Sequence, residues 1–215
     1  MKLFVWDFHG VLEKDNEYGV LEISNAVLKK FGYKKRFKKS DNNNVYGKKW
    51  YQYFEYLLPD EPKSKHQELE TACVLLENKE PQFIKNYIKP NDHCHYVLKE
   101  ISKIHDQILI SNMHDIALKK FMELVKINQF FKEGKAFACN SQNKRQSLTK
   151  KQVLESYLRG KNFEDIVIIG DSPWDIELSQ VAGGTTYLYS HPGLKFKNCS
   201  PDYRINDLRA VLKEV

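Results

Sequence analysis

An aspartate, a histidine and a glycine close a short apolar run in Leu3-Phe4-Val5-Trp6-Asp7-Phe8-His9-Gly10-Val11-Leu12. A carboxylate at a strand end can act as a nucleophile, and a histidine beside it can move protons. Residues two apart in an extended segment point to the same side, so Asp7 and His9 can address one ligand while Phe8 turns back toward a core. Gly10 then lets the backbone turn sharply. On these residues alone, a core strand followed by an ordinary polar turn explains the pattern equally well. Further chain segments offer chemistry of their own. Ser111 and Asn112 end the run Gln107-Ile108-Leu109-Ile110, and Asp171 and Asp175 flank the start of a helix after Ile166-Val167-Ile168-Ile169-Gly170. Clustered carboxylates beside a strand end suit a hard cation such as Mg2+.

The elements that must position these residues follow from apolar periodicity and punctuation. After the first strand comes a region that reads as almost wholly helical. Helices are predicted over Val20 to Phe31, stopped by Gly32, over Val45 to Leu58, stopped by Pro59, and over Ser64 to Glu77. The aromatic residues Trp50, Tyr51, Tyr53, Phe54 and Tyr56 are read there as core rather than as a binding box. From Pro90 the pattern alternates. A helix from Asn91 to Ile104 leads to the Gln107–Asn112 strand, then come a helix from Asp115 to Ile127, a weaker strand from Lys135 to Cys139 and a helix from Lys150 to Leu158. Thr149 and Gln152 form a capping box that places Lys150 in the first helical turn. The strand ending at Gly170 has four consecutive apolar residues, as a strand buried on both faces requires. Ser172 and Pro173 begin the helix after it. A strand from Thr185 to Tyr189 and a terminal helix from Arg204 to Lys213 complete an α/β pattern: a Rossmann-like parallel sheet covered on both faces, with its site at the carboxyl ends of the strands.

Composition narrows the functional classes. The 215 residues can bury a sizeable core, and length allows one domain or a domain with an insertion. The net charge of +6 arises from 34 basic and 28 acidic residues, concentrated locally only in Lys29 to Lys39, so no nucleic-acid partner is implied. The four cysteines lie far apart and read as free thiols of a reducing compartment. No segment approaches the roughly 20 apolar residues of a membrane span, and the apolar run near Met1 is too short for a signal peptide. A cytoplasmic protein with no membrane partner is expected.

In order and spacing, the chain resembles the haloacid dehalogenase-like hydrolase superfamily over nearly all its length. The family's aspartate-containing first turn is matched by Asp7-Phe8-His9-Gly10-Val11-Leu12, its Ser or Thr by Ser111, and its lysine by Lys150, or failing that Lys151. Its acidic loop is matched by Gly170-Asp171-Ser172-Pro173-Trp174-Asp175, with Gly183 closing the helix beyond. The resemblance implies a catalytic core of residues 1–14 and 89–215 with an inserted helical cap over 15–88 that selects substrate. It also implies an Mg2+-dependent phosphatase acting on a small phosphorylated metabolite through an aspartyl phosphate on Asp7. In that scheme Asp7, the His9 carbonyl and Asp171 hold the metal, with Asp175 bound to it directly or standing just behind its ligands. Ser111, Lys150 and backbone amides hold phosphoryl oxygens, with Asn112, Gly10 and Lys151 as further substrate contacts.

His9 departs from the family pattern, which places there a second aspartate that protonates the leaving group and then activates water. A neighbouring metal and lysine favour a neutral imidazole, a fair base and a poor acid, so aryl and acyl phosphates are the expected substrates. A count of formal charges points elsewhere: without the second aspartate the site retains a dianion better, as a phosphate-ligand binding or regulatory protein would. A dehalogenase would also lack that aspartate and carry a Ser-Asn pair, but Gly170-Asp171 argues against it. Phosphonate cleavage through a cap lysine has no single residue to support it. His93-Cys94-His95 reads as a helix start rather than a metal cluster, His114 as a surface residue at a helix start, Trp174 as packing and His191 as part of a loop.

Overall fold

The computed structural model describes residues 1–46, 48–79, 85–140, 147–191 and 199–215. The chain divides into two compact units, one of Met1–Lys14 with Pro90–Val215 and one of Asp15–Lys89. Residues 80–84, within the predicted cap range, lie outside the described residues.

The first unit is built on a parallel six-stranded sheet. Its strands are β1 (Leu3–Trp6), β2 (Asp106–His114), β3 (Ala136–Asn140), β4 (Ile166–Gly170), β5 (Thr185–Tyr189) and β6 (Tyr203–Ile205). They lie in the order β3-β2-β1-β4-β5-β6. β1 sits between two strands that begin later in the chain, with Trp6 in register with Leu109 on one side and Ile169 on the other. This is why its sequence is apolar without alternation: Leu3, Phe4, Val5 and Trp6 are all buried. On one face, Leu3, Val5, Ile108, Ile110 and Ile168 pack with Val153, Leu154 and Tyr157 of the Lys150–Leu158 helix. Helices at Cys94–Ser102 and Asp115–Leu124 complete the alternation between the strands.

Several predicted elements take another form. The helix expected from Pro173 to Gly183 is split into Pro173–Ile176 and Ser179–Ala182. The end of the chain is not a helix from Arg204: Tyr203–Ile205 adds β6 to the sheet, and a 3-10 helix follows over Leu208–Glu214. The Tyr203 ring stacks on Tyr187 at 4.9 Å, an aromatic contact between neighbouring strands that outweighs the weak helical pattern. The helix predicted from Asn91 begins only at Cys94, because His93 adopts the left-handed conformation with φ 63°. Asn91 has a different task. Its side chain donates to the Val11 carbonyl at 2.8 Å and its amide to the Leu12 carbonyl at 3.0 Å, joining the segment that leaves this unit to the one that returns.

The second unit is helical among its described residues, with helices at Asn16–Lys30, Trp50–Leu57 and Lys63–Lys79. The predicted Val45–Leu58 helix is interrupted: a short turn of helix at Asn42–Val45 ends where Tyr46 adopts ψ 135°, and the longer helix starts at Trp50. Phe37 lies 6.0 Å from the Tyr53 ring and 6.2 Å from that of Phe54, and all three are buried. The Trp50 indole N–H donates to Ser24 at 2.9 Å. Tyr53 and Phe54 therefore serve the core of this unit, as their helical spacing predicts, whereas Tyr56 is 41% exposed and lies outside it.

Candidate active site

The carboxyl ends of β1, β2 and β4 bring the sequence-predicted residues to one edge of the sheet. The Asp7 amide donates to the Ile169 carbonyl at 2.9 Å, extending the ladder one residue beyond β1 and fixing Asp7 at the strand end. Phe8 is fully buried, so the alternation turns it inward as expected. Gly10, with φ 74°, then bends the chain, and the amides of Leu12 and Glu13 both donate to the Phe8 carbonyl.

Lys150 reaches this edge from its helix. Thr149 and Gln152 form the predicted capping box, with the Thr149 amide on Gln152 Oε1 at 2.9 Å. Lys150, Val153, Leu154 and Tyr157 share one helical face and all are buried, so the core contacts of that face carry the lysine inward. Its Nζ donates to Asp7 Oδ1 and to Asp175 Oδ1, each at 2.6 Å. Lys151 is not brought to Asp7 with it: its Nζ donates to Gln180 Oε1 at 2.8 Å and lies 3.3 Å from Glu177.

Asp171 and Asp175 come from the loop and short helix after β4. Ser172 caps that helix, and both its amide and hydroxyl donate to Asp175 Oδ2, at 3.2 and 2.6 Å. Both oxygens of Asp175 thus accept hydrogen bonds. Gly170 makes room for this carboxylate: a Cβ there would stand 2.0 Å from Asp175 Cβ and 2.4 Å from its Cγ. Asp7, Asp171 and Asp175 each offer a carboxylate oxygen within 4.8 Å of the others. Such an all-oxygen set around one ammonium leaves negative charge in excess and fits a hard divalent cation.

The electrostatics follow from burial. Loss of water, reinforced by Asp175 and Asp171 and opposed by Lys150, pushes the Asp7 carboxyl up to about 7. Burial works against the charge on Lys150, yet Asp175 and Asp7 outweigh it and hold the ammonium well above the usual lysine range. Ser111 is buried on β2, two residues past the partner of Trp6, whereas the adjacent Asn112 is exposed.

Two side chains join the site that the sequence reading did not assign to it. His191 Nε2 lies 3.0 Å from Asp171 Oδ2, so this histidine is more than a loop residue. It stands two positions after β5, and the strand-end rule that identified Ser111 and Asp171 would have found it. Glu13, with 1% exposure, places Oε1 2.6 Å from His9 Nδ1 and 3.3 Å from the Gly10 amide. Other candidates fall outside. The Trp174 side chain is 66% exposed and is not packing. His95 Nε2 meets the Val125 carbonyl at 2.7 Å and Cys94 is buried, as a helix start predicts. His114 is a half-buried residue at the end of β2 rather than a surface one.

Comparison with known proteins bears on the fold and the family. The family model for haloacid dehalogenase-like hydrolases matches residues 4–188. No curated protein sequence matches the chain. Among solved structures, a haloacid dehalogenase-like hydrolase from Streptococcus pneumoniae superposes with a TM-score of 0.76 at 16% identity, covering 99% of this chain and 97% of that one. A predicted phosphoglycolate phosphatase from Haemophilus somnus gives a TM-score of 0.78 at 13% identity over 99% and 96%. A hydrolase of the same superfamily from Geobacter sulfurreducens gives 0.73 at 13% over 100% and 96%. At such identities these structures share the fold, and the family match adds what they cannot: the chain belongs to the haloacid dehalogenase-like hydrolases.

Proposed function

We propose that this hydrolase is an Mg2+-dependent phosphatase that cleaves a small phosphomonoester through an aspartyl phosphate on Asp7. The observation that carries the reading is the buried Lys150 ammonium, 2.6 Å from both Asp7 and Asp175, with Asp171 completing a carboxylate cluster at the strand edge. Asp7, Asp171 and the His9 carbonyl would hold the cation. Asp175, whose two oxygens already accept from Lys150 and Ser172, suits a place beside it. When bound, Mg2+ supplies positive charge for the transferring phosphoryl group.

The chain's own residues account for the remaining steps. The Asp7 carboxylate attacks phosphorus as the bond to the leaving oxygen breaks, and Lys150 counters charge on the phosphoryl oxygens. The hydroxyl of Ser111 and the amides that follow Asp7 are the neutral donors for those oxygens. The His9 imidazole carries a proton to the leaving group and later takes one from the attacking water.

Glu13 bears on the choice between turnover and retention. Its Oε1 lies 2.6 Å from the histidine ring. A carboxylate there gives a protonated ring its counter-charge, so His9 can serve as the acid that turnover needs, and sugar phosphates join aryl phosphates as expected substrates. The test is a phosphatase panel containing p-nitrophenyl phosphate and sugar phosphates, run with Mg2+ or chelator. Activity is expected with Mg2+ only, falling by at least about a thousandfold in Asp7→Asn. Turnover that persists in that variant overturns the mechanism, and tight phosphate binding without turnover supports the binding protein instead.

A further inference from the structure

Glu13 is a buried ionisable side chain that the chemistry above uses only for its charge. Burying a carboxylate costs several kcal/mol unless it is partnered. Here one oxygen meets His9 and Gly10, while Oε2 is buried with no hydrogen-bond partner among the described residues. A group retained on such terms for packing alone would be better replaced by an apolar side chain.

We propose that Glu13 is the positioning residue of His9: it holds the Nδ1 proton and the ring plane, so that Nε2 is the nitrogen that exchanges protons during turnover. This rests on the reading of His9 as the acid–base partner of Asp7. The local backbone makes the pair. Leu12 and Glu13 donate to the Phe8 carbonyl, which folds the chain back and returns the Glu13 side chain to the Gly10 amide. An amide N–H can only donate, so it fixes Oε1 as an acceptor, and an ionised carboxylate accepts only. Nδ1 must then be the donor in the 2.6 Å contact, a length suited to a charge-assisted bond. The ring is also held edge-on by Phe8 at 5.2 Å and Phe121 at 6.0 Å. Between those two rings, Glu13 sets its in-plane direction.

The proton account closes with Nδ1 protonated throughout. As the bond from phosphorus to the leaving oxygen breaks, the proton on Nε2 passes to that oxygen. Water then attacks the phosphorus carried by Asp7, releases phosphate and returns a proton to Nε2. An imidazole in solution prefers its proton on Nε2, so Glu13 selects the less common tautomer, as a histidine oriented by a carboxylate does.

Long-range 1H–15N correlation of the labelled protein with Mg2+, at alkaline pH, reads this tautomer directly. The His9 signal is assigned by its loss in His9→Gln. The Nδ1–H pattern is expected in the wild type and in Glu13→Gln, where the Gly10 amide keeps the amide oxygen in place. Glu13→Met is expected to revert to Nε2–H. With p-nitrophenyl phosphate, Glu13→Met should lower kcat about 10- to 100-fold with KM little changed, and Glu13→Gln should recover part of it. An Nε2–H wild type, or an unchanged kcat in Glu13→Met, overturns the proposal. If Glu13→Met does not fold, the wild-type and Glu13→Gln spectra decide. The tautomer is read without turnover, so an inactive wild type with Nδ1–H refutes the phosphatase reading alone, and an active one with Nε2–H refutes the role of Glu13 alone.

Discussion

Asp7 is where burial and reactivity meet. Its carboxyl is raised to about 7 from an ordinary value of 3.8, so between those limits the folded state binds more protons than the unfolded one. Stability from this group is full below about 3.8 and falls as pH rises through about 7. A cation bound beside Asp7 must displace that proton when pH is low. In differential scanning calorimetry, added Mg2+ is therefore expected to raise Tm more at pH 8 than at pH 6, and an equal shift at both would contradict the assignment. The residues that carry this chemistry were legible because each closes an apolar run of the sequence: Asp7, Ser111 and Asp171 all follow from that rule, although β2 itself runs on to His114. His191 obeys it too, but a histidine in a loop has many ordinary explanations and only its contact with Asp171 gives it a place. Glu13 was illegible for a different reason. Its link to His9 depends on three amides folding onto Phe8, and no spacing rule reports such a turn.

Elements explain why some readings were secure. The helix carrying Lys150 has Val153, Leu154 and Tyr157 at the third, fourth and seventh positions beyond it, and this periodicity alone separates an inward Lys150 from an outward Lys151. The end of the chain lacked any comparable pattern, and β6 formed where an aromatic neighbour on β5 was available. The loop after β4 depends on absence of a side chain. Gly170→Ala would drive a methyl carbon into the Asp175 carboxylate, costing about 1–3 kcal/mol of stability as an overpacked site does. Moving Asp175 also disturbs Lys150. The expected outcome is a lowered urea midpoint together with a loss of phosphatase activity of at least about tenfold, since small misplacements in a site are magnified in rate. Wild-type activity in this variant would show that the carboxylate has somewhere else to go.

At the scale of the whole molecule, the unit of Asp15–Lys89 interrupts a sheet that is complete without it. All six strands belong to the other unit, and so do Asp7, Ser111, Lys150, Asp171 and Asp175. The alternation from Pro90 onward made this sheet readable, while the helical insertion showed only that it was helical. Replacing residues 15–89 by a short Gly-Ser link between Lys14 and Pro90 is therefore expected to leave a cooperatively folding core. Thermal melts followed by circular dichroism should show a Tm drop of about 10 °C or less, equivalent to about 2–3 kcal/mol for a domain of this size. A non-cooperative melt would mean that the insertion is needed for folding.

Asn91 gives that experiment a wider meaning. One side chain and its own amide clasp the carbonyls of Val11 and Leu12, so the two junctions of the insertion are held at a fixed spacing by the core itself. The core behaves as a socket whose opening does not depend on what is plugged into it. Any foldable segment whose ends lie that close together could be seated there, and whole inserts could be exchanged while Asp7, Ser111, Lys150, Asp171 and Asp175 stay untouched.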